Sequence, residues 1–337
     1  MKSLQLSIAA LAVFTSLLLS CSKKEDDGTL VIYSARNEQL LTPLFEAYTE
    51  KTGTKFELIT DKEAPLLERL KSEGSATQAD ILITVDGGNL WHASQSGVLK
   101  SIDSSVLNQS IPKQYRSSNN DWFGLSLRAR TIFYNKDLVD PSELSTYEQL
   151  ADARWKNALC LRTSKKVYNQ SLVASLIKNL GEENAKTAVK GWVDNLATTV
   201  FANDTKMLQA IDSGICEVGI ANTYYYGRIV KENPDFNVGI FWANQDTTGT
   251  HVNVSGAGVT KHAKHPKQAQ AFLEWLAQGD AQKLFAELNQ EFPANASIES
   301  SAEVQAWGEF KKDPLSIETA GELQSQSVML MDNAGYQ

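Results

Sequence analysis

From Thr29 onward, short runs of β-branched and aliphatic residues alternate with longer stretches whose apolar positions recur every three or four residues. "TLVIYS", "KFELIT" and "ADILITV" read as strands. Between them, "LLTPLFEAYTEKTG" predicts a helix with Pro43 in its first turn, where a missing N–H is harmless, and Gly53 closing it. "APLLERLKSEG" predicts a second helix, ending at Gly74. Strand, helix, strand in succession implies parallel pairing through crossover helices, hence an open α/β sheet. The rhythm continues through "TIFYNK", "NALCLR", "YNQSLVASLIKNLG", "DTKMLQAIDSG" and "CEVGIA". "HVNVSGAGVT" follows as a strand and "PKQAQAFLEWLAQ" as a helix opened by Pro266. "VDGGN" from Val85 is expected to form a turn at a strand end. Past Glu299 the periodicity weakens.

The first twenty residues break this pattern. "MKSLQLSIAALAVFTSLLLS" is a basic start and a short apolar run, the form of a secretory signal and not of a spanning helix. Its end, "LLSC", is similar to a bacterial lipobox, so cleavage before Cys21 and lipid on its sulfur are expected. Residues 21–28 read as a polar tether. The chain of 337 residues is too long for one small core, and two domains follow. Its net charge is -8, and the leader contributes only Lys2, so the exported part is more acidic still. Nucleic acid is a poor partner for such a surface, since phosphate contacts need clustered Lys and Arg.

Candidate chemistry gathers around tyrosines. "CEVGIA" leads into "NTYYYGRIVKE", where Asn222 or Thr223 can cap a helix and Tyr224 and Tyr225 fall in its first turn. Neighbours there lie about 100° apart, so both oxygens can reach one point beyond the helix end. Tyr168 stands eight residues past Cys160, and Tyr224 eight past Cys216. If those strands are neighbours, three phenols converge. A phenol has a pKa of about 10 and resists ionising alone. A highly charged hard cation lowers that value and gains anionic oxygen ligands, which suits ferric iron better than zinc or copper. The alternative is aromatic packing with satisfied hydroxyls.

The stretches "VIYSAR", "LLERLKSEG", "ADILITVD", "WFGLSLRAR", "YNQSLVASL", "NDTKMLQAI", "ANTYYYGR" and "GTHVNVSGAGV" resemble the ferric-iron-binding proteins of bacterial ABC uptake systems, including the cyanobacterial iron-deficiency-induced branch. The resemblance implies a type II periplasmic-binding-protein fold, two α/β lobes that close on a hinge around an interdomain cleft. On that fold residues 29–127 plus 254–304 form one lobe and 128–253 plus 305–337 the other. It also implies that Tyr168, Tyr224 and Tyr225 bind Fe3+, while Tyr226 packs or forms a rim. Where the branch usually reads Arg-His-Tyr, this chain has Arg36, Asn37 and Glu38. Glu38 is therefore either a carboxylate ligand or a solvent-facing side chain, and Asn37 a neighbour to the ligands. A small anion such as carbonate can fill the remaining positions beside Arg36 and Arg128, with Arg130 in reserve, because guanidinium grips such groups with paired hydrogen bonds. Asn203 and Asn222 are candidates for supporting the ligands from behind.

Other constellations carry less. His262 and His265 have metal-like spacing but lack carboxylate or cysteine partners. "SGAG" at Ser255 is neither a phosphate loop nor a hydrolase elbow. Trp91, Trp122 and Trp155 read as packing. Cys160 and Cys216 are either a disulfide between adjacent strands or two buried thiols, the disulfide being favoured. The expectation is a monomeric, lipid-anchored binding protein of the periplasm or cell surface, not an enzyme, delivering Fe3+ to an inner-membrane permease and its ATPase. Its rival is a protein of the same fold that binds an organic or oxyanion solute without iron.

Overall fold

A single strand runs through both halves of the molecule. The computed structural model describes residues 28–337, so the leader and Cys21 lie outside the described residues. Strand β1 (Leu30–Ser34) pairs in parallel with β2 (Phe56–Thr60) and β3 (Ile81–Thr84). Helices Thr42–Thr52 and Glu63–Glu73 supply the crossovers such pairing requires. Gly53 ends the first of them at φ 76°, a conformation open to glycine at no steric cost. Strand β4 (Phe123–Asn135) then crosses the molecule. Together with β5 (Leu159–Cys160), β6 (Val218–Asn222), β7 (Val238–Phe241), β8 (Val252–Val259) and β9 (Phe292–Pro293) it completes a mixed sheet of order β2-β1-β3-β8-β4-β6-β5.

The first half of β4 pairs with β8, from Phe123 to Ala129, and the second half with β6 and β7, from Arg130 to Asn135. "TIFYNK" is thus only the end of a strand whose earlier part holds Arg128 and Arg130. Both arginines are buried with polar partners, which is why a charged stretch remains in the sheet.

"VDGGN" departs from the expected turn. The Asp86 carboxylate accepts the Asn89 N–H at 3.1 Å and opens helix Gly87–Gln95. The glycines that hid this helix are needed for packing, since a Cβ on Gly87 would stand 1.9 Å from Ile317.

Apolar side chains form one core around Leu30, Ile32, Ile83, Leu125 and Phe272. Ile132 and Phe133, neighbours on β4, point to opposite faces and enter two further cores, with Leu172 and Trp192 on one side and Met207 and Ile211 on the other. Trp122 and Trp155 are buried, as packing residues should be. Cys160 and Cys216 are joined as a disulfide in the third core, their Cα atoms 5.8 Å apart. Beneath the cleft a row of buried polar side chains crosses between the cores. The Asn253 amide donates to Asp86 at 2.7 Å and to Ser171 at 2.6 Å, and Ser171 meets His251 at 2.9 Å. Among the described residues no helix is long and apolar enough to cross a membrane.

Candidate metal centre

Strands β5 and β6 are parallel neighbours, so both deliver their following helices to the same edge of the sheet. Tyr168 is the second residue of helix Val167–Leu180, and Tyr224 and Tyr225 are the second and third of helix Thr223–Glu232. All three line a cavity of about 170 Å³, with Arg228 beside them. Facing them are Arg36, Asn37, Asn289 and Glu291, and Val85, Arg128 and Ser255 close the base. Asn169 fixes Tyr168 in place by donating to the carbonyls of Arg162 and Thr163 at 2.9 and 3.0 Å, which clamps the loop onto the helix start.

Each phenol has a guanidinium near it. Arg128 lies 5.1 Å from the Tyr168 ring centre, Arg228 5.2 Å from that of Tyr224, and Arg162 5.8 Å from that of Tyr225. The rings of Tyr224 and Tyr225 are 4.3 Å apart. Burial pushes the Tyr168 phenol up to about 12 against the opposing pull of Arg128. Burial also raises Tyr224 well above the ordinary phenol, and its two tyrosine neighbours add to that. Burial therefore favours the neutral form of these two phenols, and a cation bound by their oxygens must displace a proton from each. Among the described residues no group of three or more His, Cys, Asp or Glu is placed to hold a metal ion. Phenol oxygens are what this cavity offers a hard cation.

The facing wall neutralises itself. Arg36 Nη1 meets the Glu291 carboxylate at 3.1 Å, with both side chains almost wholly buried, and its Nη2 donates to the Phe285 carbonyl at 3.3 Å. Ser126 and Asn289 also donate to Glu291. Burial favours protonating Glu291, but Arg36, Arg128 and these donors outweigh it and hold the group below the usual carboxylate range. Asn289 in turn accepts a hydrogen bond from Arg228 of the tyrosine helix. That helix can approach because residue 227 is glycine, whose Cβ would stand 2.5 Å from Gln290.

Over residues 43–312 the chain matches the model of the bacterial extracellular solute-binding proteins. It belongs to that family. It is 40% identical to iron uptake protein A1 of Synechocystis sp. over 339 aligned residues, covering 96% of this chain and 94% of the relative. A Trichodesmium structure described as IdiA or FutA in complex with iron and citrate ligands superposes with a TM-score of 0.88 at 43% identity, covering 92% of this chain and all of that one. The ferric binding protein from Campylobacter jejuni gives 0.85 at 35%, covering 91% of this chain and 100% of its own. The fold is that of the type II periplasmic binding proteins.

Within this solute-binding protein the expected site residues part company. Tyr168, Tyr224, Tyr225, Arg36, Asn37 and Arg128 all line the one cavity. Tyr226 turns away and packs 5.2 Å from the Phe133 ring. Glu38 is exposed and does not line the cavity; it lines an adjoining open cleft with Thr60, Asp61 and Lys62, which shares Arg36 and Asn37 with the cavity. Arg130 sits behind the cavity, bonded to Asn169, Asp204 and Asn222. Asn222 occupies the helix N-cap but makes no capping bond; its oxygen takes Arg130 at 3.1 Å and its amide points to the Tyr224 hydroxyl at 3.5 Å. Asn203 caps helix Asp204–Asp212 through the Lys206 N–H and does not line the cavity. His265 pairs with buried Asp80, and His262 is exposed. Sequence reasoning passed over Glu291, Arg228, Asn289 and Arg162. Of these only Arg228, four residues after Tyr224 and so one helical turn on, gave a signal that spacing could have found.

Proposed function

We propose that this protein captures ferric iron outside the cytoplasm, through Tyr168, Tyr224 and Tyr225, and presents it to an inner-membrane ABC permease and its ATPase. The observation that carries this reading is the meeting of three phenols in a cavity of about 170 Å³, with basic groups to receive an anion. That volume suits one ion with a small anion. Three phenolates neutralise a trivalent ion, and oxygens of carbonate or a similar anion complete its coordination. Arg128 is the main anion-holding group, since its guanidinium donates only to the neutral Ser255 hydroxyl and Val85 carbonyl, whereas the charge of Arg36 is already paired with Glu291.

The lobes move as 29–127 plus 254–304 against 128–253 plus 305–337, with β4 and β8 as the connection, and opening releases the ion. Acid assists release because protons compete with iron for phenol oxygens. The protein binds and does not turn over substrate. It acts as a monomer, held at a membrane by lipid on Cys21, with the periplasm or cell surface as its place.

The test is a visible absorption spectrum after ferric citrate loading and desalting, beside Tyr224→Phe. A broad tyrosinate-to-iron band, lost or shifted in the variant, is expected. A colourless protein that retains no iron overturns the reading and favours an organic or oxyanion solute held by the cavity's arginines.

A further inference from the structure

Arg162 lies behind the phenols and does not belong to the cavity wall. Its guanidinium is 5.3 Å from the Tyr168 ring centre, and its Nη1 donates to the Tyr225 oxygen at 3.2 Å. The residue is 4% exposed, so water does little to screen it. The Arg162 carbonyl accepts from Asn169 at 2.9 Å and from the Tyr336 hydroxyl at 2.6 Å, which fixes the residue between two helices and the chain's end. Its acidic partner, Asp204, lies 3.6 Å away. That carboxylate already meets Arg130 at 3.1 Å and takes the Asn222 N–H at 3.3 Å. Two arginines therefore share one buried negative charge, and the cluster carries an excess positive charge directly behind Tyr225. Both arginines approach the same oxygen, Asp204 Oδ2, while Oδ1 has no hydrogen-bond partner. Satisfying that acid does not explain why Arg162 turns toward a phenol, nor why its Nε makes no hydrogen bond.

We propose that Arg162 is a positioning residue that donates to the iron-bound oxygen of Tyr225 and sets how strongly that phenolate gives charge to the metal. The inference rests on the ferric reading above. A donor to a ligand oxygen withdraws density from it, and a nearby positive charge favours the lower oxidation state. For the potential both effects act in one direction, and for the transition the donor effect dominates because Arg162 bonds the phenol oxygen itself. Arg162 raises the energy of the phenolate-to-iron transition and raises the reduction potential of the bound iron.

The experiment compares the ferric-loaded protein with Arg162→Met and Arg162→Lys by visible spectrum and by spectroelectrochemical titration. Arg162→Met should move the tyrosinate band to longer wavelength and lower the potential, with Arg162→Lys between the two because it keeps charge without the planar fork. In a Tyr225→Phe background the Arg162→Met band shift should vanish. An unchanged band and potential in Arg162→Met, or a shift that persists undiminished without the Tyr225 oxygen, overturns the inference while leaving the ferric reading intact. If Arg162→Met fails to fold, an Arg162→Lys band and potential identical to the parent overturn it equally. A parent protein with no band overturns the ferric reading and this inference with it.

Discussion

On one side of the cavity Arg36 and Glu291 face each other at 3.1 Å, each about as buried as a side chain can be. On the other, Tyr168, Tyr224 and Tyr225 have arginines for their charged neighbours. The first wall is neutral through its ion pair, and the second becomes a cation site only when its phenols give up their protons. The proposed ligands thus all stand on the wall built by β5 and β6. The wall after β1 supplies closure and shape, and its Arg36–Glu291 pair is held by Ser126 and by Asn289, which also reaches Arg228. The difference explains how this chain can lack a histidine or tyrosine at positions 37 and 38 and still present a coherent oxygen site.

The largest effect should come from breaking the neutral wall. Glu291→Ala leaves the Arg36 guanidinium buried without its partner and should destabilise the protein by about 3–5 kcal/mol, measured by denaturant unfolding without iron. Breaking the phenol wall should act on cargo instead. Tyr224→Phe removes a proposed ligand oxygen but little volume, so ferric retention against a competing chelator should fall on the order of 100-fold or more while apo stability changes little.

The buried row under the cleft offers a subtler test. Burial pushes Asp86 from 3.8 up to about 6 in spite of Arg128 beside it. Between those values the folded protein keeps a proton that the unfolded chain has lost. The Asp86 contribution therefore falls as pH rises from about 4 to about 6, by roughly 2–3 kcal/mol in all. Asp86→Asn should remove that slope from a stability-versus-pH curve. His251 tilts the curve the other way. Burial lowers it from 6.5 to about 3, so the unfolded chain takes up a proton first and stability falls as pH drops below about 6.5. The smallest effect belongs to Glu38→Gln. An exposed side chain outside the cavity should leave iron retention within about twofold, and a larger loss would move Glu38 into the ligand set.

The tyrosines were legible because the information was local. Each tyrosine follows a strand closely in sequence, but the equal interval after Cys160 and Cys216 is a coincidence. Cys160 ends β5 and a loop leads to its helix, whereas Cys216 precedes β6, which runs straight into its own. It is the parallel pairing of β5 with β6 that brings the phenols together. Helices marked by Pro43, Gly53 and Pro266 were legible for the same reason. Glu291 was not, because the partner that gives it meaning lies 255 residues earlier in the chain. The reach of β4 stayed hidden behind two arginines that resemble surface residues until their buried partners are known. Asn203 and Asn222 show a finer limit. Sequence marked both as polar groups near the site, but only packing decides which one caps a helix and which one turns to Arg130.

The continuity of β4 has a mechanical consequence. It is hydrogen-bonded to β8 up to Ala129 and to β6 from Arg130, so no unpaired segment separates its two halves. Were one half of the molecule to rotate against the other, as proposed for release, the motion would have to wind this ribbon. A twist of this kind would be spread over many peptide units, so the connection would act as a torsion spring and not as a free hinge.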